Sequence, residues 1–432
     1  MEKKLFLIGG WVRDELIQKY HPELKIEPHD KDYVAVGYTE EELDKLYGRK
    51  HGKQFPVWVD KEGNEIAAAR TEIKTGDKHT DFEFTFSPET TLKEDCRRRN
   101  HTINAIAKDL ETGEYIDYFG GINDIKNKVL RCVDYNTFKQ DPLRVLILCR
   151  QSAQLDFRVD IETLFTCRNM VKDGMIDHLT PERIWKEFEK ALHTDHFANF
   201  IKVMDWTNAL DVILPEFTVE KIVPEIESHH PEKNTFAHTL LTLEYADKEN
   251  YPALVKWGLL LHDIGKILTP EDVRPHHYGH EEAGLQLIEK ICDRLKVPND
   301  YREFALKSCK YHMSLRRLYE YKPGHIYDII EDITKGFRYV LPLSLLFEVS
   351  KADLYGRAKE PREERKNQFD ISHSIAYNMY TILSNIAAED FPELFEKELD
   401  GEEFGKMLRV KKIQYYCDNR KAENDKKKEE KN

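Results

Sequence analysis

The chain has 432 residues, 40% hydrophobic and 11% aromatic, which supplies apolar material for several cores and excludes a largely disordered or collagen-like chain. Its longest apolar runs, such as VLPLSLLFEV at 340–349, fall short of the roughly 20 residues of a membrane span, and the apolar stretch near the start is too short for a secretory leader, so a cytoplasmic, non-membrane protein is expected. The net charge of −13 excludes nucleic-acid binding through a globally basic surface; residues 1–150 carry 25 basic and 28 acidic side chains, so any RNA contact must come from local patches.

The opening segments LFLIGG, KDYVAVG, FPVWVD, NEIAAARTE and FEFTFS read as strands separated by Gly, Asp and Asn signals, with VRDELIQKY as the first helix. From DPLRVLILCRQSAQL onward the apolar spacing becomes three and four, as in PERIWKEFEKALH and FIKVMDWTNALDVIL, and Pro181 marks a helix start. The fold class is therefore α+β: a mixed α/β start followed by helices. Pro215, Pro224 and ESHHPEKN at 227–234 mark one boundary, AKEPREERKNQ at 358–368 marks another, and the charged end ENDKKKEEKN is expected to be disordered. The seven cysteines are scattered without a C-x-x-C pair, which argues against a disulfide framework or zinc ribbon.

Asp30 and Asp32 flank Lys31 just before YVAVG; on a strand they would share one face and suit two Mg²⁺ ions for in-line nucleotidyl transfer, with Glu65 on a later strand completing the cage. Gly9-Gly10 sits at a strand-to-helix turn, where missing side chains and the helix start favour phosphate. Asp141 and Arg144, three apart on an expected helix, offer an acceptor and a donor fork. Cytosine and adenine both present an amine beside an unprotonated ring nitrogen, whereas guanine and uracil reverse that polarity, so this pair suits C and A.

In this order, LIGGWVRD, PHDKDYVAVG, AARTEIKTG, LKEDCRRRNHTINAIA, YIDYFGGINDIKNKVLR and QDPLRVLILCR resemble the motifs of the bacterial-type (class II) CCA-adding tRNA nucleotidyltransferases of the DNA polymerase β superfamily. The resemblance implies that Gly9, Gly10 and Arg13 cradle a triphosphate, that Asp30 and Asp32 bind catalytic Mg²⁺, and that Asp95, Arg98 and Arg99 contact the nucleotide's sugar and phosphates. Arg150, which closes the last motif, is assigned to nucleotide binding with them. The chain departs from the family pattern at Asn100, where Asp is usual, at Gln140, where Glu is usual, and at Ile147, where a further Arg often stands. These departures bear on the C-to-A switch and on rate.

The second constellation is His238 in FAHTLLT, His262-Asp263 in LLLHDIGK and Asp353 in VSKADLYGR, an order that resembles HD-domain phosphohydrolases in one branch of the same family. The resemblance implies a metal site with 2′,3′-cyclic phosphodiesterase, 2′-nucleotidase and phosphatase activity, with His276, His277, His280 and His312 as further ligands or phosphate contacts. Mixed imidazole and carboxylate ligands suit Ni²⁺, Mn²⁺, Fe²⁺, Co²⁺ or Zn²⁺ alike.

The implied organisation is a polymerase-β-like palm at 1–140, a helical neck and body at 141–226 that binds nucleobase and tRNA, an all-α HD domain at 227–375 and a helical tail at 376–432. The expected partners are tRNA, CTP and ATP, with the protein a monomer or homodimer. KNKVLR at 126–131, RRLYEYK at 316–322 and RVKKIQYYCDNRK at 409–421 mix cations with aromatics as RNA contacts do, though each also suits a solvated helix face. Rival readings are a partial CC- or A-adding enzyme, a poly(A) polymerase, and a noncatalytic tRNA-binding protein.

Overall fold

Eight strands open the chain: β1 (Lys4–Ile8), β2 (Asp32–Val36), β3 (Val57–Val59), β4 (Glu65–Ala68), β5 (Arg70–Lys74), β6 (Phe82–Phe86), β7 (Ile106–Asp109) and β8 (Tyr115–Asp117). The structure, a computed structural model, describes residues 2–48, 57–74, 82–226, 231–397 and 399–429; Thr75-Gly76 of AARTEIKTG and residues 227–230 of the expected boundary lie outside the described residues. Six strands form a sheet in the order β3-β4-β2-β1-β7-β8, in which β2 and β4 run parallel and the other pairs antiparallel, while β5 and β6 form a separate hairpin. Period-two alternation sends Phe6, Ile8, Val34 and Val36 to one face with Leu92 and Cys96, and Ala35 to the other with Leu43, Trp58 and Ile66. Covering both faces explains why these strands read as nearly continuous apolar runs.

The chain divides into two compact units, residues 1–215 and 216–432. In the first, the helix Leu143–Leu155 packs on Pro181–Leu192 and Phe197–Trp206. FIKVMDWTNALDVIL is two helices rather than one, because Asn208 adopts φ 63° between Phe197–Trp206 and Ala209–Ile213.

In the second unit, Ala253–Leu261 is a buried central helix; it packs on Asn299–Leu315 and Leu341–Tyr355, and Asn299–Leu315 in turn packs on His280–Leu295. The turn Ile264–Leu268 crosses His280–Leu295 so closely that a Cβ on Gly265 would collide with the carbonyl oxygen of His280. Glycine is required there by contact rather than by φ. Among the described residues no helix is long and apolar enough to cross a membrane.

Four expectations are corrected. Asp30 is not on a strand: the β1–β2 register ends at Ile8↔Asp32, because β1 turns at Gly9 into the helix Gly10–Tyr20 and leaves Asp30 nothing to pair with. Asp141 is not on the helix of Arg144, since Pro142 disfavours helical backbone in the residue before it; the helix begins at Leu143, and the Asp141 carboxylate accepts from the Leu143 N–H at 3.0 Å. The segment 358–368 is not only a linker, because a helix runs unbroken over Glu363–Leu383 and through the expected boundary at 375. The charged end is helical to Glu429 in Gly401–Glu429, for its Lys and Glu residues are good helix formers and neither Gly nor Pro follows Gly405.

Candidate functional site

In the first unit a pocket of about 330 Å³ is lined by Gly9, Gly10, Arg13, Asp32, Arg98, Arg99, Asn100, Asn104, Asp141, Arg144 and Ile147. The strand–turn–helix at its floor explains the glycines: Gly9 holds φ +84°, and a Cβ there would meet Arg99 Nη1 at 3.3 Å and Asp32 Oδ2 at 3.6 Å. Arg13 reaches the pocket from one helical turn further on. Its guanidinium is fixed by Asp14 through Nε at 2.7 Å and Nη2 at 3.0 Å, and by Asn104 Oδ1 at 3.0 Å. Sequence reasoning missed both partners; Asp14 was in view within LIGGWVRD, whereas Asn104 is brought in from 91 residues away.

Asp95 is fully buried and lies outside the pocket lining. It holds Arg98 through Nε at 2.9 Å and Nη2 at 2.8 Å, and Arg99 through Nη2 at 3.3 Å. Burial would raise its carboxyl, but the two guanidinium groups more than offset that and keep it below the usual range. Asp95 therefore aims two cations. Arg144 donates to Thr137 O and to Arg98 O, both at 2.9 Å, which ties the expected base reader to the expected phosphate clamp. Asp141 also faces Arg183, at 3.6 Å.

Asp32 and Glu65 are directly opposite in the β2–β4 register, and both are solvent-exposed, as is Asp30. Although Asp32 reaches solvent, the atoms packed around its carboxyl partly desolvate it and push it up, with Arg99 opposing and the charges of Glu65 and Asp30 adding to the rise. Oxygen-only donors suit a hard cation such as Mg²⁺, but only Asp32 lines the pocket; Asp30 and Glu65 stand outside its lining, and among the described residues the three do not form a set with ligand atoms within 4.8 Å of one another. Of the departures, Asn100 and Ile147 line this pocket and Gln140 does not. Arg150 stands apart: it pairs with Glu187 at 2.6 Å and lines a separate depression with Gln154 and Lys190.

In the second unit, LLLHDIGK ends the buried helix Ala253–Leu261. His262 Nδ1 donates to the Leu259 carbonyl at 2.7 Å, satisfying an orphan acceptor of the helix end and leaving Nε2 as a lone-pair donor. His280 Nδ1 does the same with His277 O at 2.7 Å, and His312 Nδ1 with Cys309 O at 2.9 Å. Asp263 sits between them: its Oδ2 is 3.2 Å from His262 Nε2 and 3.7 Å from His238 Nε2, and its Oδ1 is 3.2 Å from His280 Nε2 and 3.4 Å from His312 Nε2. Asp353 Oδ1 lies 3.1 Å from His238 Nε2, and Glu232, which sequence reasoning missed, holds His238 Nδ1 at 3.0 Å.

Cations surround this cluster. Lys266 reaches Asp263 at 2.8 Å and Glu225 at 2.7 Å, while Arg316 and Arg357 grip Asp353 at 2.8 and 3.0 Å. Burial would raise both aspartates, yet His262 and Lys266 hold Asp263, and Arg316 and Arg357 hold Asp353, well below the usual carboxylate range. His262 is driven down by burial but more strongly up by Asp263. His262 Nε2 is buried without a hydrogen-bond partner, and His238, His262, Asp263, His280, His312 and Asp353 form overlapping sets of three with ligand atoms within 4.8 Å. Imidazole nitrogens and carboxylate oxygens at that spacing fit a borderline divalent metal. His276 and His277 fall outside these sets: His277 is bound to Thr269 and Pro224, and His276 is exposed.

Family models match in the same order: the Poly A polymerase head domain over residues 5–131, the probable RNA and SrmB-binding site of polymerase A over 156–221, and the HD domain over 233–378. A multifunctional CCA protein of Alkalilimnicola ehrlichii is 39% identical over 82% of this chain and 84% of its own length, and one of Vibrio parahaemolyticus is 41% identical over 76% and 79%. The fold is similar to a solved CCA-adding enzyme in complex with ATP (TM-score 0.62, 19% identity, 96% of this chain and 86% of that one). It is likewise similar to the Thermotoga maritima CCA-adding enzyme complexed with tRNA (TM-score 0.60, 20% identity, 95% and 87%). Head, RNA-binding and HD segments in this order, with relatives of that identity across most of the chain, place it in the multifunctional CCA protein family, to which it belongs.

Proposed function

We propose that the first pocket adds or repairs the 3′-terminal CCA of tRNA from CTP and ATP without a nucleic-acid template, and that the His-Asp cluster of the second unit hydrolyses phosphate esters. The observation that carries the first reading is the convergence of Gly9, Gly10, Arg13, Asp32, Arg98, Arg99, Asp141 and Arg144 on one pocket. The relatives' CCA activity and the ATP and tRNA bound to similar folds support it.

The chain's own groups divide the work. The guanidinium groups of Arg13, Arg98 and Arg99, aimed by Asp14, Asn104 and Asp95, receive the triphosphate oxygens, and the start of Gly10–Tyr20 adds backbone N–H groups. Asp32, with Asp30 and Glu65, would hold Mg²⁺, which when bound offsets the charge of the triphosphate and of the attacking hydroxyl. Asp141 accepts from the exocyclic amine of C or A, and Arg144 donates to the ring nitrogen. Guanine or uracil would set donor against donor in a desolvated pocket. A polar-to-apolar change at Ile147 and the neutral Asn100 leave this reader in place.

In the His-Asp cluster of the second unit, His238, His262, Asp263 and Asp353 would hold a transition metal such as Ni²⁺ or Mn²⁺, with His280 and His312 on the far oxygen of Asp263. The bound metal supplies Lewis acidity toward a phosphoryl oxygen. Lys266, Arg316 and Arg357 orient the remaining phosphate oxygens, and the backbone carbonyls of Leu259, His277 and Cys309 fix the imidazole tautomers.

Incubating the protein with tRNA lacking CCA and labelled CTP and ATP tests the first reading. Stepwise addition of two C and one A is expected; addition of only CC or only A identifies a partial enzyme, and no addition a tRNA-binding protein.

A further inference from the structure

We propose that the HD pocket recognises the base of a nucleoside phosphate by stacking it on a pair of aromatic rings, His276 and Tyr278, a specificity element distinct from the metal ligands. The inference rests on the phosphohydrolase reading above and adds the part of the substrate that the metal cluster does not address.

The pair is held in place from behind. Arg274 Nε donates to Thr269 O at 2.9 Å; His277 Nε2 donates to Pro224 O at 3.0 Å, and its Nδ1 accepts from the Thr269 hydroxyl at 2.9 Å. His280 turns inward, with Nδ1 on His277 O and Nε2 toward Asp263. Pinned at 274, 277 and 280, the loop presents residues 276 and 278 outward. Their rings lie parallel, 9° apart in plane with centroids 5.7 Å apart, and Tyr278 is 84% exposed. Leaving that much ring in water forgoes burial, and an aromatic face held in place beforehand is what a planar partner needs.

Both rings line the same cavity, of about 510 Å³, as Asp263, Asp353, Lys266, Arg316 and Arg357. That volume lies within the range of pockets that enclose a whole small molecule and exceeds what a bare phosphate fills. Five cations face five carboxylates in its lining, so a divalent metal makes the lining net positive, as a phosphate requires. Phosphate at the cation and metal end with a planar group at the aromatic end describes a nucleotide. Stacking is tolerant of base identity, since every base has a π-face.

The test compares 2′,3′-cyclic AMP with glycerol 1,2-cyclic phosphate, which has the same five-membered cyclic diester and no base. With the full-length, metal-loaded protein, Tyr278→Ala is expected to lower kcat/KM for cyclic AMP about tenfold, chiefly through KM, and to leave the base-free ester within about twofold. Tyr278→Phe, which keeps the ring, is expected to restore the wild-type ratio. A short RNA ending in a 2′,3′-cyclic phosphate tells whether the base belongs to a free nucleotide or to an RNA end; a selective loss with either supports the proposal. Equal losses on base-bearing and base-free esters, or no loss on any base-bearing one, overturn it. Should the wild-type protein hydrolyse none of them, the phosphohydrolase reading fails, and calorimetric binding decides the stacking claim by itself. In that case 2′-AMP must bind about tenfold tighter than glycerol 2-phosphate, an advantage lost in Tyr278→Ala, and equal affinities overturn it.

Discussion

The carboxylates of the first site face solvent, whereas those of the second are sealed: Asp30, Asp32 and Glu65 are exposed, and Asp263 and Asp353 are 2% and 3% exposed. The first set offers only oxygens and has Arg99 as a compensating charge; the second is packed among imidazoles, a lysine and two arginines that form part of the fold. Placement thus decides what a lost ligand costs. Removing an exposed carboxylate takes away charge stabilisation and little packing, while removing a buried one strands its partners in a low-dielectric interior.

The largest expected effect follows directly. Asp30→Ala or Asp32→Ala should lower CTP and ATP incorporation by at least about a thousandfold, because the charge of the transferring phosphoryl group loses its counter-ion ligand, with unfolding free energy changed by less than about 1 kcal/mol. Primer-extension rates beside a denaturant melt check both halves. The comparison breaks if the melt shifts as much as the rate.

Asp263→Ala should show the reverse balance in the second unit, destabilising it by about 3–5 kcal/mol, since His262, His280, His312 and Lys266 all lose their shared partner. A thermal melt with and without chelator reads this. Chelating the wild-type protein should lower the melting temperature of that unit only.

His101 sharpens the contrast from inside the first unit. It is fully buried, and burial holds its imidazole down at about 3, well below the ordinary 6.5 of a histidine. Between those values the unfolded chain binds a proton that the folded chain does not. Stability is therefore fully present above pH 6.5 and is lost as pH falls toward 3, by up to about 5 kcal/mol. Substituting His101→Leu should flatten that slope in a pH series of melts.

Much of this was legible because the chemistry was local in sequence. Gly9-Gly10 between a strand and a helix, and His262-Asp263 at the end of an apolar helix, are readable as they stand. What stayed hidden depends on partners far along the chain. Arg13 needs Asn104, 91 residues away, and Lys266 needs Glu225, 41 residues away; no spacing rule links such positions. Spacing even misled at Asp141, where Pro142 starts the helix later than the apolar pattern suggests. Histidine clustering was equally blind: His276, His277 and His280 are neighbours in sequence, yet only His280 turns to Asp263.

Smaller effects refine the first pocket. Asp141→Ala should relax discrimination of C and A against G and U by about 10–100-fold while triphosphate affinity changes little, because it removes an edge contact and no phosphate contact. Competition among all four nucleotides measures it. Arg150→Ala should change kcat/KM for CTP and ATP by less than about threefold, since its guanidinium is engaged by Glu187 outside the pocket. A larger loss would return Arg150 to the nucleotide site.

The central claim is that one chain carries two chemically independent metal sites, one of exposed oxygens and one of buried nitrogens and oxygens. Its most direct test assays Asp32→Ala and His262→Ala side by side for CTP and ATP incorporation into tRNA lacking CCA and for hydrolysis of 2′,3′-cyclic AMP, with folding confirmed by melt. The account predicts a crossed result, in which Asp32→Ala loses incorporation and keeps hydrolysis while His262→Ala does the opposite. A folded variant that loses both activities, or retains both, would contradict it.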